Sequence, residues 1–181
     1  MPAIVFQDAD DLRIKFEATC YRVGGGLAKR VFSMAMNKVG RKTFTNVKTA
    51  LRAQTSIPAG VVNKNTKFFT AHPGKLETRI DGRREYLGLS HFKPKQMAHG
   101  AAVHVWGKGI IYPHSFVVKS LSNNVFHRKG KSRLPIEKMY GPSIHKELMQ
   151  DMALDTWERG NAHIAQEAQR VLGVIMSGAM Q

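Results

Sequence analysis

Eight histidines, one cysteine and a Gly-Lys-Ser triplet are the residues of this 181-residue chain that suggest metal or covalent chemistry. His99 and His104 stand five apart around a loop and a strand start, while His72, His91, His114, His127, His145 and His163 are scattered. A zinc site needs ligands at short fixed spacing, and no Cys pair, His-Glu-x-x-His or His-x-Glu pattern joins these rings. They read as surface or hydrogen-bonding side chains, and no metal or other cofactor is expected. Cys20 falls on the apolar side of an alternating stretch, where a thiol packs as a small inert hydrophobe. Being alone, it has no internal disulfide partner, which suits a reducing compartment. No serine occupies a Gly-x-Ser-x-Gly turn. Gly130-Lys131-Ser132 has the tail of a phosphate-binding loop, but Val125 stands where that loop needs its first glycine, and a strand follows instead of a helix. No catalytic residue is assigned, and no enzymatic activity is expected.

Cations are the chemistry that remains. The chain carries 28 Lys and Arg against 13 Asp and Glu, a net charge of +15. From Leu134 onward the balance is −2, so residues 1–133 carry +17. A surplus on that scale favours a polyanionic neighbour, nucleic acid or an acidic protein surface, over a merely solvated surface. Residues 27–54 hold Lys29, Arg30, Lys38, Arg41, Lys42, Lys48 and Arg52 with no acid among them. A helix built this way lacks internal ion pairs and repels itself mildly. Arg30, Lys38, Arg41 and Lys48 are therefore expected to face a partner. Aromatics interleaved with the basic residues (Phe68, Phe69, Tyr86, Phe92, Trp106, Phe116, Phe126) could stack single-stranded bases. They stand in apolar runs, however, where core packing accounts for them better, and no helix-turn-helix, zinc or RNA-recognition signature accompanies them.

The elements that position these groups read as α+β: a short-stranded antiparallel sheet packed by two long helices. Leu12–Tyr21 alternates strictly and predicts a half-buried strand. Gly24, Gly25 and Gly26 read as a flexible connector. Leu27, Val31, Met34, Ala35, Val39, Val47, Ala50 and Leu51 outline the first long helix, to about Gln54, with Gly40, Thr43 and Thr45 marking a bend. A short helical turn is expected near Ile57–Val62. About five to seven short strands follow, with a His72-Pro73-Gly74 turn, an Asp81-Gly82 hairpin and a Gly107-Lys108-Gly109 turn. Ser143 reads as the N-cap of the second long helix, whose stripe of Ile144, Leu148, Met152, Trp157, Ile164, Ala168, Val171, Leu172 and Ile175 is bent or split at Gly160. Met149 and Met152 read as core filler. One domain over 1–181 is expected, fraying after about residue 176. No run approaches the roughly 20 apolar residues of a membrane span, and the N-terminus lacks the basic region of a signal peptide.

The stretch FVVKSLSNNVFHRKGKSRLPIEKMYGPSI, Phe116 to Ile144, combines an apolar strand opened by Phe116, a basic hairpin and a helix entry. Its Phe126, Arg128, Gly130, Lys131, Arg133, Pro135 and Ile136, followed by Gly141, Pro142 and Ser143, resemble the signature of the phage minor tail protein Z family, the tail-completion proteins of long-tailed phages. About 30 residues carry the match, and a weaker one extends over most of the chain. The resemblance implies a structural protein of the virion at the head-tail neck, present in the host cytoplasm during assembly. Its partners would be copies of itself in a ring, expected to be a hexamer, the tail terminator or tail tube protein, and the head connector, with nonspecific contact to genomic DNA and none to a membrane. Under that reading Arg128, Lys129, Lys131 and Arg133 form a docking or lumen-facing hairpin tip, the Asn124–Pro135 hairpin adds to a neighbour's sheet, and Pro135 keeps its strand at a sheet edge. The alternative is a non-enzymatic basic nucleic-acid-binding protein.

Overall fold

A computed structural model describes residues 4–5, 25–130 and 132–176. The strand expected over Leu12–Tyr21, Cys20, Gly24, Lys131 and the C-terminal fraying all lie outside those residues. The architecture is α+β, with several small sheets in place of one. Its elements run β1 (Ile4–Val5), α1 (Gly25–Thr55), α2 (Ala59–Asn65), β2 (Thr66–Phe69), β3 (Arg79–Gly82), β4 (Tyr86–Gly88), β5 (Lys95–Met97), β6 (Gly100–Val105), β7 (Lys108–Pro113), β8 (Ser115–Val118), β9 (Asn124–Arg128), β10 (Ile136–Lys138), β11 (Tyr140–Ser143), α3 (Ile144–Leu148), α4 (Asp151–Asn161) and α5 (Ile164–Met176). The strands associate as β1-β3-β2, β5-β6-β7, β8-β9-β10 and β4-β11. The chain divides into two compact units, residues 1–47, 67–81 and 154–181 in one, residues 48–66 and 82–153 in the other.

In the first unit, Val31, Phe32, Ala35, Met36 and Val47 are buried along α1 at the three- and four-residue spacing of an amphipathic helix. Gly25 and Gly26 belong to the first turn of that helix and not to a connector. Phe44 stacks on Phe68 of β2 with centroids 5.6 Å apart. Gly40 lies so close to the Phe68 ring that a Cβ there would come within 2.7 Å of it. Close packing on the ring is thus what requires this glycine. Asn37 clamps the backbone of Ala71: its Nδ2 donates to the carbonyl and its Oδ1 accepts from the amide, both at 2.7 Å. Trp157, Ile164, Ala168 and Val171 complete the core from α4 and α5. Gly160 sits inside α4, where a Cβ would overlap the Thr43 side chain.

In the second unit, Leu51, Ile57 and Val62 are buried with Leu89, Val103, Val105, Val125, Ile144 and Leu148. α1 stops where Ser56 takes a positive φ of 61°. The β6–β7 hairpin closes at Val105↔Lys108 through Trp106 and Gly107, with φ of 49° and 69°. Positive φ at both central residues gives the turn whose twist matches the flanking strands. The hairpin end is tied to the end of α1, Trp106 N donating to Thr55 O and Gly107 N to Ser56 Oγ, both at 3.1 Å.

Four expectations need correction. Asp81-Gly82 does not form a hairpin: β3 runs through both residues, and Tyr86–Gly88 pairs with β11. Gly82 is needed instead because a Cβ would press on Leu148 and Ile144, at 2.7 and 2.9 Å. The second long helix is three shorter ones. It breaks where Asp151 adopts φ 48°, a conformation Asp tolerates better than most side chains, and again between Asn161 and Ile164. Met149 and Met152 are exposed, at 38% and 53%. Ser143 does precede α3, but its hydroxyl donates to Arg84 O at 2.9 Å and caps nothing.

Candidate basic interface

Phe116 of β8 and Phe126 of β9 are register partners, stacked with centroids 6.3 Å apart. The Arg128 guanidinium lies 5.4 Å from the Phe116 centroid, so a signature arginine caps a signature aromatic pair. Residues 129–135 link β9 to β10, and Lys129 N donates to Pro135 O at 3.3 Å. Pro135 directly precedes β10, an edge strand of its sheet. β9 is the central strand of that sheet, so the Asn124–Arg128 half of the hairpin has no open edge. Arg128, Lys129, Gly130 and Arg133 are all exposed. Lys129 Nζ lies 3.0 Å from Glu137, and its hydrogen bond and charge hold the Glu137 carboxyl below the usual carboxylate range. The remaining signature residues are structural: Ile136 opens β10 opposite Arg128, a Cβ at Gly141 would come within 3.1 Å of Leu89 and 3.4 Å of Phe92, and Pro142 and Ser143 are buried.

The four helix cations lie along α1 but are divided between the two units. Arg30, Lys38 and Arg41 are exposed in the first unit, whereas Lys48 belongs to the second and donates to Asn63 Oδ1 at 3.0 Å. What the first unit does assemble is a hollow of about 1000 Å³ edged by Lys38 and Lys42 from α1, Arg159 from α4, His163, and Glu167 and Arg170 from α5. Lys38 and Lys42 meet there because they are four apart on one helix face, and Glu167 and Arg170 because they are three apart on another. Lys38 and Arg41 also edge a second hollow, of about 470 Å³, with Arg170 and Val174. Arg159 and Arg170 were missed in the sequence because their region is acidic overall. The signal lies in the sequence spacing: Arg159, His163, Gln166 and Arg170 recur every three or four residues, across the short turn between α4 and α5.

Glu167 is the carboxylate of this hollow. It accepts Arg170 Nη2 at 2.8 Å and Nε at 3.1 Å, and pairs with Lys38 Nζ at 2.9 Å. The hydrogen bonds from Arg170 and then Lys38 pull its pKa down to about 2. A free glutamate titrates near about 4.3, so the folded chain holds this site ionised where the unfolded chain binds a proton. The resulting stability is present above about pH 5 and is lost as pH falls toward the folded value. Glu167→Gln should therefore destabilise by about 1 kcal/mol at neutral pH, allowing for solvent screening. Urea titrations should show the difference from the parent chain closing between about pH 5 and pH 2, and a difference independent of pH would remove the ion pair as its cause.

Among the described residues, no three His, Cys, Asp or Glu side chains group as a metal site requires. His99 and His104 are exposed, in the β5–β6 turn and on β6. No described helix is long and apolar enough to cross a membrane. Comparison with protein-family models, with curated proteins and with solved structures found no match to the chain.

Proposed function

We propose that this chain is a structural subunit of a phage tail at the head-tail neck, a tail-completion protein resembling the minor tail protein Z family. It would act as a homo-oligomeric ring, a hexamer, joining the tail tube or terminator to the head connector. Helices α1, α4 and α5 form the layer backing the β2–β3 strands in this reading. The observation that carries it is how the signature residues are used. Phe116, Phe126 and Arg128 stack into one exposed-edged sheet, Gly141, Pro142 and Ser143 lock the entry to α3, and between them runs a solvent-facing basic loop. Such a signature specifies a shape to be docked and supplies no reacting groups. The exposed Arg128, Lys129 and Arg133, with Lys131 beside them in sequence, fit an acidic neighbour or packaged DNA.

Replacing Arg128, Lys129, Lys131 and Arg133 together with alanine should leave the domain folded and lower infectious particle yield about tenfold through weakened joining. Electron microscopy of the purified parent protein or of the particle should show the ring. Normal yields from the fourfold variant would remove the docking role of this loop, and a strictly monomeric protein absent from particles would remove the neck reading. The alternative, a basic nucleic-acid-binding protein with no virion role, is favoured by the cation-edged hollow of the first unit. It predicts salt-dependent nucleic-acid affinity in a lone monomer.

A further inference from the structure

We propose that the hollow edged by α1, α4 and α5 is a binding site for the phosphodiester backbone of DNA. The assignment stands on the hollow and is independent of the neck reading.

Two segments far apart in sequence, α1 and the consecutive helices α4 and α5, deliver Lys38, Lys42, Arg159 and Arg170 to one concavity of about 1000 Å³. Guanidinium and ammonium groups converging on one space create a field that favours multivalent anions. Glu167 opposes them, but its oxygens are engaged by Arg170 and Lys38, and it stays ionised in that embrace. It acts as an internal stand-in that keeps two of the four cations ordered. An arriving phosphate would meet Lys42 and Arg159 first and compete with Glu167 for the other two. Arg159 is only loosely restrained, 3.7 Å from Asp155 with four-fifths of its side chain exposed.

The lining separates nucleic acid from an acidic protein. Protein interfaces bury an apolar and aromatic centre, whereas among the described residues on this wall Val39 is the one aliphatic side chain and His163 the one ring. Asn46, Thr156 and Gln166 supply polar groups instead. With no Phe, Tyr or Trp among the described lining residues to stack a base, recognition goes through the backbone, which makes it indifferent to sequence and steep in salt.

Fluorescence anisotropy with a labelled duplex of about 30 base pairs tests this on the full-length chain. About four phosphate contacts should give a log–log salt slope near −3.5 for the parent and near −2 for Lys42→Ala/Arg159→Ala, with affinity reduced about tenfold. Glu167→Gln should do the reverse, tightening binding about threefold or more by freeing Lys38 and Arg170. Lys108→Ala/Lys119→Ala, which removes the same charge from exposed positions of the other unit, should change affinity less than twofold. Circular dichroism melts check that each variant is folded, and Glu167→Gln provides a reading of opposite sign should the double variant misfold. Equal losses from the two double variants would show an effect of net charge alone and overturn the site, as would an unchanged slope or no gain from Glu167→Gln.

Discussion

Alanine at position 100 is expected to destabilise the protein by about 3 kcal/mol or more, the sum of backbone strain and steric overlap. Gly100 opens β6 with φ 150°, a conformation that L side chains rarely adopt. A Cβ there would also run into the carbonyl oxygen of Tyr112 on β7. The obstacle is backbone held in register by Gly100↔Pro113 and Ala101↔Tyr112, and it is further fixed by Ser115 Oγ, which accepts from Ala101 N at 2.9 Å and donates to Tyr112 O at 2.6 Å. A flexible side chain would swing aside at little cost, but this ladder has to move as a whole. Gly109→Ala on the partner strand is the control, since nothing lies within 4 Å of its Cβ position. Thermal melts should place Gly100→Ala about 10 °C below Gly109→Ala. If the two melt within about 2 °C of each other, the close approach at Tyr112 is not what constrains position 100.

The second large effect is expected from the smallest change to Glu147. This side chain is buried and receives two donors, one on each oxygen: Trp106 Nε1 to Oε1 at 2.8 Å and Gln54 Nε2 to Oε2 at 2.9 Å. Gln54 Nε2 also donates to Glu147 O at 3.1 Å, and its Oε1 accepts from Ala153 N at 3.3 Å, so the Gln54 amide is not free to turn over. A carboxylate accepts at both ends, but a carboxamide does so at only one. Glu147→Gln keeps the shape and forces an NH2 against another donor whichever way it flips. A buried clash of that kind costs about 1–3 kcal/mol. Trp106→Phe removes one donor and lets the introduced carboxamide point its oxygen at Gln54. The double variant should therefore be less destabilised than the two single losses added together. Denaturant titrations of the four proteins measure the coupling, and strict additivity would mean that the donor conflict is not the cause.

How much of this was legible in advance depends on the range of the interaction responsible. α1 was readable because Val31, Ala35, Val47 and Leu51 repeat at helical spacing, and the structure extends it by only a few residues to Gly25–Thr55. The β6–β7 and β8–β9 hairpins were readable because local turn residues close them, although the first turn falls on Trp106-Gly107 and leaves Lys108 and Gly109 of the expected turn in β7. Asp81-Gly82 misled because the same two residues suit a tight turn and a close approach. Only the distant Ile144 and Leu148 decide which applies. The break before α4 was hidden for a related reason, since Met152 continues the apolar stripe in sequence while the backbone at Asp151, just before it, leaves the helix. Cations could be counted but not gathered: Lys38 and Lys42 were visible as one helix face, yet nothing local said that Arg159 and Arg170 would stand across from them. Lys48 sits only six residues beyond Lys42 and belongs to the other unit.

Each unit carries one of the chain's two tryptophans. Trp157 is 1% exposed in the first unit and Trp106 is 40% exposed in the second. Their emission should differ accordingly, a blue-shifted band shielded from acrylamide for one and a redder, readily quenched band for the other. Intrinsic fluorescence can thus follow the melting of the two halves of the molecule separately, with no label attached.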